Sequence, residues 1–249
     1  MKRCMLVLLL LSGCVHAKPL RLCQESVQED PFLKEFTINN RQVFGNHAAI
    51  VSHALLRLGI EFSIARLPWR RCLQEAGNGK FDGVIGLGWS KERSQQFAFP
   101  LTDGNDIDES LRLYYVNYPI YASADSPLQW DGAHFSAVRH GLTAPKGYLV
   151  EELLRRHGVL QQLDVGIDAG VQLLANGRLD GVVLSEEVGD RMLAQQHIKG
   201  VKKLSPYFYR QPIFLAINRR QQVLPGTVLP LLWRQLPLSR AAVLQQTDL

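Results

Sequence analysis

The chain predicts an α/β fold built as two lobes, each a mostly parallel sheet flanked by helices, and three observations point there. A ten-residue pattern occurs twice: Gly77-Asn78-Gly79-Lys80-Phe81-Asp82-Gly83-Val84-Ile85-Gly86 and, 98 positions later, Ala175-Asn176-Gly177-Arg178-Leu179-Asp180-Gly181-Val182-Val183-Leu184. In each copy a helix-like stretch stops at Asn-Gly, which supplies a left-handed closing residue beside a basic side chain. Asp-Gly then leads into a short apolar run of the kind that forms a buried parallel strand. Any α/β protein repeats such junctions, but these two stand one lobe-length apart. Second, Leu111 to Val116 is an extended run that could leave one lobe and Ile213 to Ile217 reads as the strand entered on return, with the two crossings near Tyr114–Asn117 and Tyr209–Ile213. Third, 249 residues with 46% hydrophobic and 20% charged side chains suffice for two lobes of about 100 residues each.

Taken in order, the chain reads as follows. A first strand spans Leu20 to Gln24, followed by a polar loop through Asp30-Pro31. Helical periodicity runs from about His47 to Leu58 and ends at Gly59. A second strand covers Ile60 to Ala65, Pro68 opens a helix over Trp69 to Ala76, and a third strand takes Asp82 to Gly86. That β-α-β-α-β order implies right-handed crossovers in a parallel sheet, with binding groups on loops at the carboxyl ends of the strands. Residues 134–184 repeat strand-helix-strand logic. A short helix from about Thr227 to Gln235, with Pro230 in its first turn, would finish on the first lobe. The expected division is 18–115 for the first part of lobe one, 116–208 for lobe two and 209–249 for the return segment.

The first 17 residues differ from the rest. Lys2 and Arg3 precede the apolar run Met5 to Leu11, and Val15-His16-Ala17 ends on a small residue, the pattern of a cleaved signal peptide. The apolar run is too short to span a bilayer. Leu11-Ser12-Gly13-Cys14 also fits a lipobox, which would make Cys14 a lipidated N-terminus. Cleavage after Ala17 lowers the net charge from +5 to +3 and leaves two cysteines, Cys23 and Cys72. In an oxidising compartment that pair forms either a disulfide or two buried thiols. The mild charge, without a Lys/Arg run interleaved with aromatics, argues against nucleic-acid binding. Metal binding is not expected, because there is no Cys-x-x-Cys and the histidines lack ligand spacing. No cofactor is expected either: Gly86-Leu87-Gly88-Trp89-Ser90 is not a serine-nucleophile elbow, and Gly77-Asn78-Gly79-Lys80-Phe81-Asp82 lacks the last glycine of a dinucleotide loop.

Four segments together resemble the extracellular solute-binding proteins of family 3, the amino-acid-type binding proteins of ABC transporters. They are Leu67-Pro68-Trp69-Arg70-Arg71-Cys72-Leu73, Gly79 to Gly86, Ser90-Lys91-Glu92-Arg93 and Phe97-Ala98-Phe99-Pro100, with Gly177-Arg178-Leu179-Asp180 matching the second-lobe signature. The resemblance implies the two-lobe, type II periplasmic-binding-protein-like fold with two hinge crossings, and a periplasmic, monomeric receptor for a small carboxylate-bearing ligand that docks on an inner-membrane ABC permease.

Carried over position by position, Arg93 matches the ligand-carboxylate clamp, a role suited to a planar guanidinium fork; a surface ion pair with Glu92 or Glu109 is the alternative. Gly86 and Gly88 match the loop whose backbone meets the ligand. Trp69 matches an apolar cover, with a core position as the alternative. Glu25 matches an acidic position that contacts ligand amines, or is a solvated loop carboxylate. Thr143 follows Gly141 as the family's hydroxyl donor does, before a helix begun near Pro145 whose N-terminus would favour an anion. Two departures stand out. The family's ammonium-binding aspartate falls on Ser185, with Glu186 adjacent, so free α-amino acids lose their counter-charge unless Glu186 or Glu25 substitutes. The aromatic expected after the first strand is missing, leaving Phe32 or Trp89 to fill the gap.

The leading expectation is a non-catalytic receptor. The alternatives are a periplasmic enzyme on the same scaffold, as in dehydratase relatives with Glu25 or Glu186 as acid or base, and a sensor presenting its closed form to a membrane kinase.

Overall fold

The computed structural model describes residues 18–26, 35–38, 40–162 and 166–245. The expected signal peptide, Cys14, the Asp30-Pro31 loop and Phe32 lie outside them. The described chain opens with β1 (Leu20–Glu25), a hairpin of β2 (Glu35–Ile38) and β3 (Arg41–Phe44), and α1 (Asn46–Arg57). Next come β4 (Phe62–Leu67), α2 (Trp69–Gly77), β5 (Gly83–Gly88), α3 (Lys91–Gln96) and β6 (Phe97–Ala98). A single 3-10 turn at Glu109–Leu111 precedes the ten-residue β7 (Tyr114–Ser123). Then follow β8 (Gln129–Trp130), β9 (Phe135–Ser136), β10 (Leu142–Thr143), α4 (Leu149–Arg156), α5 (Ile167–Ala175), β11 (Gly181–Val183) and α6 (Glu186–Gln195). The eighteen-residue β12 (Val201–Asn218) and α7 (Val228–Gln245) complete it.

One sheet runs through the molecule in the order β10-β11-β7-β12-β5-β1-β4, with β6 also on β12. At one end β1 pairs in parallel with both β4 and β5; at the other β10 and β11 are parallel. Between them β7 and β12 run antiparallel, pairing Tyr114 to Tyr118 with Ile213 to Tyr209 and Ile120 to Ser123 with Leu204 to Val201. Of the expected extended runs, Tyr114 to Val116 pairs with Ile213 to Gln211 in this ribbon, whereas Ile213 to Ile217, the strand entered on the return, lies along β5. The apolar cores divide accordingly. Residues 20–113 and 213–243 supply two buried clusters, around Ile50, Leu55 and Leu232 and around Val84, Leu87 and Phe214. Residues 118–208 supply the other two, around Ile120, Leu142 and Leu154 and around Tyr121, Val171 and Val182.

The repeated motif folds the same way twice. Gly79 (φ 83°) and Gly177 (φ 66°) take the left-handed position that ends α2 and α5. Their N–H groups donate to Ala76 and Leu174, while Lys80 and Arg178 donate five residues back to Glu75 and Leu173. This is one closing motif, bond for bond, in two places. The aspartates that follow are buried anchors. Asp82 accepts from the Arg21 backbone N–H (2.8 Å) and guanidinium, and Asp180 accepts from the N–H groups of Arg139, His140 and Gly141 at 2.7, 2.5 and 2.8 Å. Each aspartate thus ties the start of its own strand to the start of a neighbouring parallel strand, β1 or β10. Satisfying three N–H groups with one carboxylate is worth more than any neutral acceptor would be.

Several expectations shift. β4 begins at Phe62 rather than Ile60, because the Ile60 N–H still bonds Leu55 in the helix stop. β5 extends to Gly88, held by its pairing with Ile213. The segment from Leu111 does not start extended: Asp108 caps a 3-10 turn there by accepting from Ser110, and the strand begins at Tyr114. α4 starts at Leu149, not near Pro145. The final helix is twice the expected length and passes through Pro237, since Leu232, Trp233, Leu236, Ser239 and Val243 are all buried along it. That packing, with Trp233 Nε1 donating to the Leu215 carbonyl (2.9 Å), outweighs the one bond proline removes. The β2-β3 hairpin was not anticipated; Asn40 makes its turn at φ 60°, a conformation asparagine tolerates. Cys23 on β1 and Cys72 on α2 form a disulfide, both fully buried. Among the described residues no helix is long and apolar enough to cross a membrane, and no group of three or more His, Cys, Asp or Glu could hold a metal ion.

Candidate functional site

The carboxyl ends of β1, β4 and β5 carry Glu25, the Pro68-Trp69 turn and Gly88, so three of the expected site residues arise from one sheet edge. Arg93 stands one turn into α3, whose first residues are capped by Ser90 Oγ accepting from the Arg93 N–H (3.2 Å). Its guanidinium donates to the Gly88 carbonyl (3.0 Å) and, across the cleft, to the Gly147 carbonyl (3.0 Å). Trp69 Nε1 donates to the same Gly147 oxygen (3.3 Å). Tyr148, next in sequence and the N-terminal flank of α4, lies edge-on to Trp69 with ring centroids 5.8 Å apart and donates its hydroxyl to the Glu25 carboxylate. Four segments distant in sequence, β1, α2, α3 and the flank of α4, thus meet through Glu25, Trp69, Arg93 and Tyr148.

The electrostatics follow from burial. Desolvation lowers the Arg93 pKa to about 10, and among the described residues no carboxylate hydrogen-bonds its guanidinium. Only two of its five donors are engaged, by neutral carbonyls. A part-buried cation with spare donors is a candidate anion site. Burial raises the Glu25 pKa, partly offset by the Tyr148 hydrogen bond, and raises Tyr148 well above its ordinary range. Tyr118, almost wholly buried on β7, feels both Glu25 and Arg93.

Gly88 leaves room for its neighbours: a Cβ there would displace the Gln211 amide and come within 3.0 Å of Leu149 Cδ1. It therefore marks the point where β5, β12 and α4 converge. Gly86, at φ 86°, lies beside the His47 ring, which is tilted against Tyr114 at 6.0 Å between centroids and kept neutral by burial, its pKa lowered to about 4.

The lobe-two expectations land differently. Thr143 is buried on β10 and lines a cavity of about 610 Å3 with Lys146, Gln161, Gly166 and Gly170. The residues that reach Arg93, Trp69 and Glu25 are Gly147 and Tyr148. Ser185 is the N-terminal flank of α6, without a side-chain capping bond. Glu186 is already engaged by Lys203 Nζ (2.7 Å) and Tyr207 Oη (3.0 Å), and the Lys203 bond lowers its pKa. Trp89 is 40% exposed. Sequence reasoning missed Tyr148, Tyr118, Gln211 and His47. Only Gly147-Tyr148 carried a usable signal, a Gly just ahead of the amphipathic run Leu149 to Arg156.

The architecture is that of the periplasmic amino-acid-binding proteins, as the family 3 resemblance implied. Searches with family models and against curated proteins return no match; the similarity is in structure. An ancestral arginine-binding protein bound to arginine superposes with a TM-score of 0.66 at 17% identity, over 93% of this chain and 99% of that one. A histidine kinase sensor domain similar to periplasmic binding proteins gives 0.65 at 16%, over 93% and 92%. The arginine-, lysine-, histidine-binding protein ArtJ from Geobacillus stearothermophilus gives 0.62 at 11%, over 93% and 91%.

Proposed function

We propose that this chain is a solute-binding protein that closes two lobes, 18–115 with 209–249 and 116–208, around a small carboxylate-bearing solute of amino-acid size. Arg93 carries the reading: a desolvated guanidinium, unpaired with any described carboxylate, at the meeting point of both halves of the sheet. Trp69 covers the solute, and Gly86 and Gly88 let it approach the backbone. Ser185 and Thr143 belong to the lobe-two wall. Export by residues 1–17 to the periplasm and delivery to an inner-membrane ABC permease complete this reading, with the protein acting as a monomer and without catalysis. A second reading has an observation in its favour, the likeness to a histidine kinase sensor domain: the closed form would then be recognised by a membrane kinase.

Native mass spectrometry of protein purified without unfolding tests the common core of both. The expected result is a small bound anion released on denaturation. A protein that is always bare, and that no carboxylate stabilises against heat, would remove the proposal.

A further inference from the structure

Among the described residues, Glu25 is the carboxylate beside Trp69 and Arg93 that could meet a ligand amine, and a side chain of the protein already occupies it. The Tyr148 hydroxyl donates to Glu25 and its ring lies edge-on over Trp69, so the phenol fills the space between the acid and the aromatic cover. Among the described residues, the other acidic candidate is not free to supply a counter-charge. Position 185 is a serine, and the neighbouring Glu186 is bound to Lys203 and Tyr207. Arg93, by contrast, keeps donors in hand beyond its bonds to the Gly88 and Gly147 carbonyls. A carboxylate alone would neutralise that guanidinium, whereas a zwitterion would also bury an ammonium with no free partner.

Resting on the carboxylate-capture reading, we infer that Tyr148 is the specificity-determining residue of the cleft. By holding Glu25 it selects small carboxylates bearing a hydroxyl, keto or alkyl group at the α-carbon over the corresponding α-amino acids. The discrimination is built from a filled acceptor rather than from a clash, and a site that leaves a charged group unpaired rejects it strongly.

Calorimetry on matched pairs decides the matter: L-lactate with L-alanine, L-malate with L-aspartate, and L-phenyllactate with L-phenylalanine. In the wild type the hydroxy acid of any pair that binds should be at least tenfold tighter. Tyr148→Ala frees Glu25 and should narrow that ratio at least fivefold through tighter amino-acid binding; adding Glu25→Gln should abolish the gain. Tyr148→Phe keeps the ring, removes only the hydroxyl and should shift the ratio in the same direction, which covers a failure of the alanine variant to fold. Equal binding of both series to the wild type, or a ratio unmoved by either variant, overturns the inference. If both series bind equally and both weaken on Arg93→Ala, capture stands and the role of Tyr148 falls. If neither series binds the wild type, capture falls and this inference with it.

Discussion

Arg93 is where the chemistry concentrates, because removing a guanidinium from water is tolerable only if something anionic or strongly polar meets it. Its bonds to Gly88 and Gly147 are to neutral acceptors, so an incoming carboxylate gains the full charge-assisted interaction. Arg93→Ala should therefore cost about 2–5 kcal/mol of affinity for the bound solute with little change in the melting of ligand-free protein; calorimetry showing less than a threefold change would place the anchor elsewhere. His47 provides a test of a different kind. Burial lowers its pKa from 6.5 to about 4, so the unfolded chain binds a proton over a range where the folded protein does not. Stability from this residue is full above pH 6.5 and is lost as pH falls towards 4, up to about 3 kcal/mol. Melts at pH 7.5 and 4.5 should show a larger drop for the wild type than for His47→Gln. Equal drops would mean the ring is hydrated in the native state.

At the scale of elements, the two copies of the helix-stop-strand unit show how a local signal becomes architecture. Each closes a helix with a left-handed glycine and then plants a buried aspartate on a neighbouring strand, so β5 is aligned on β1 and β11 on β10 by the same device. That alignment sets the carboxyl ends of the strands, and with them Glu25 and Gly88, at one edge. The Cys23–Cys72 disulfide fastens α2 to β1 behind this edge, and α2 begins with Trp69. Its sequence separation of 49 corresponds, in the chain-entropy account, to about 4 kcal/mol at best. Reduction, or paired Cys23→Ala and Cys72→Ala, should lower stability by roughly 2–4 kcal/mol in chemical denaturation. Two alkylatable thiols in denatured, non-reduced protein from the oxidising compartment would refute the bridge.

At the scale of the molecule, β7 and β12 are, among the described residues, the strands shared by both halves of the sheet, and they pair along Tyr114 to Tyr118 between the two sets of cores. A solute touching groups on both sides of that ribbon favours closure by the difference between its two-sided and one-sided contacts and by no more. Scattering should accordingly give a smaller radius of gyration with solute than without, and the melting temperature should climb with solute concentration. Stabilisation with an unchanged envelope would put the solute in a preformed pocket within one half.

The sequence by itself determined the α/β class, the doubled helix-stop-strand unit and the cysteine pair, and it named Arg93, Trp69 and Gly88 as candidates that lie near one another in the fold. Those features rest on local rules: helix stops, alternation and short motifs whose members lie within a few residues of one another. Tertiary structure alone decided that the two crossings are one antiparallel ribbon, that α7 continues through Pro237, and that Tyr148 rather than Thr143 meets Glu25. Each of these depends on partners far apart in the chain, 123 residues in the case of Tyr148 and Glu25. A tyrosine ahead of a helix has no local preference for a distant carboxylate. The packing of α4 on β10, with Val150 and Leu154 in the core around Ile120, Leu142 and Phe208, puts it there.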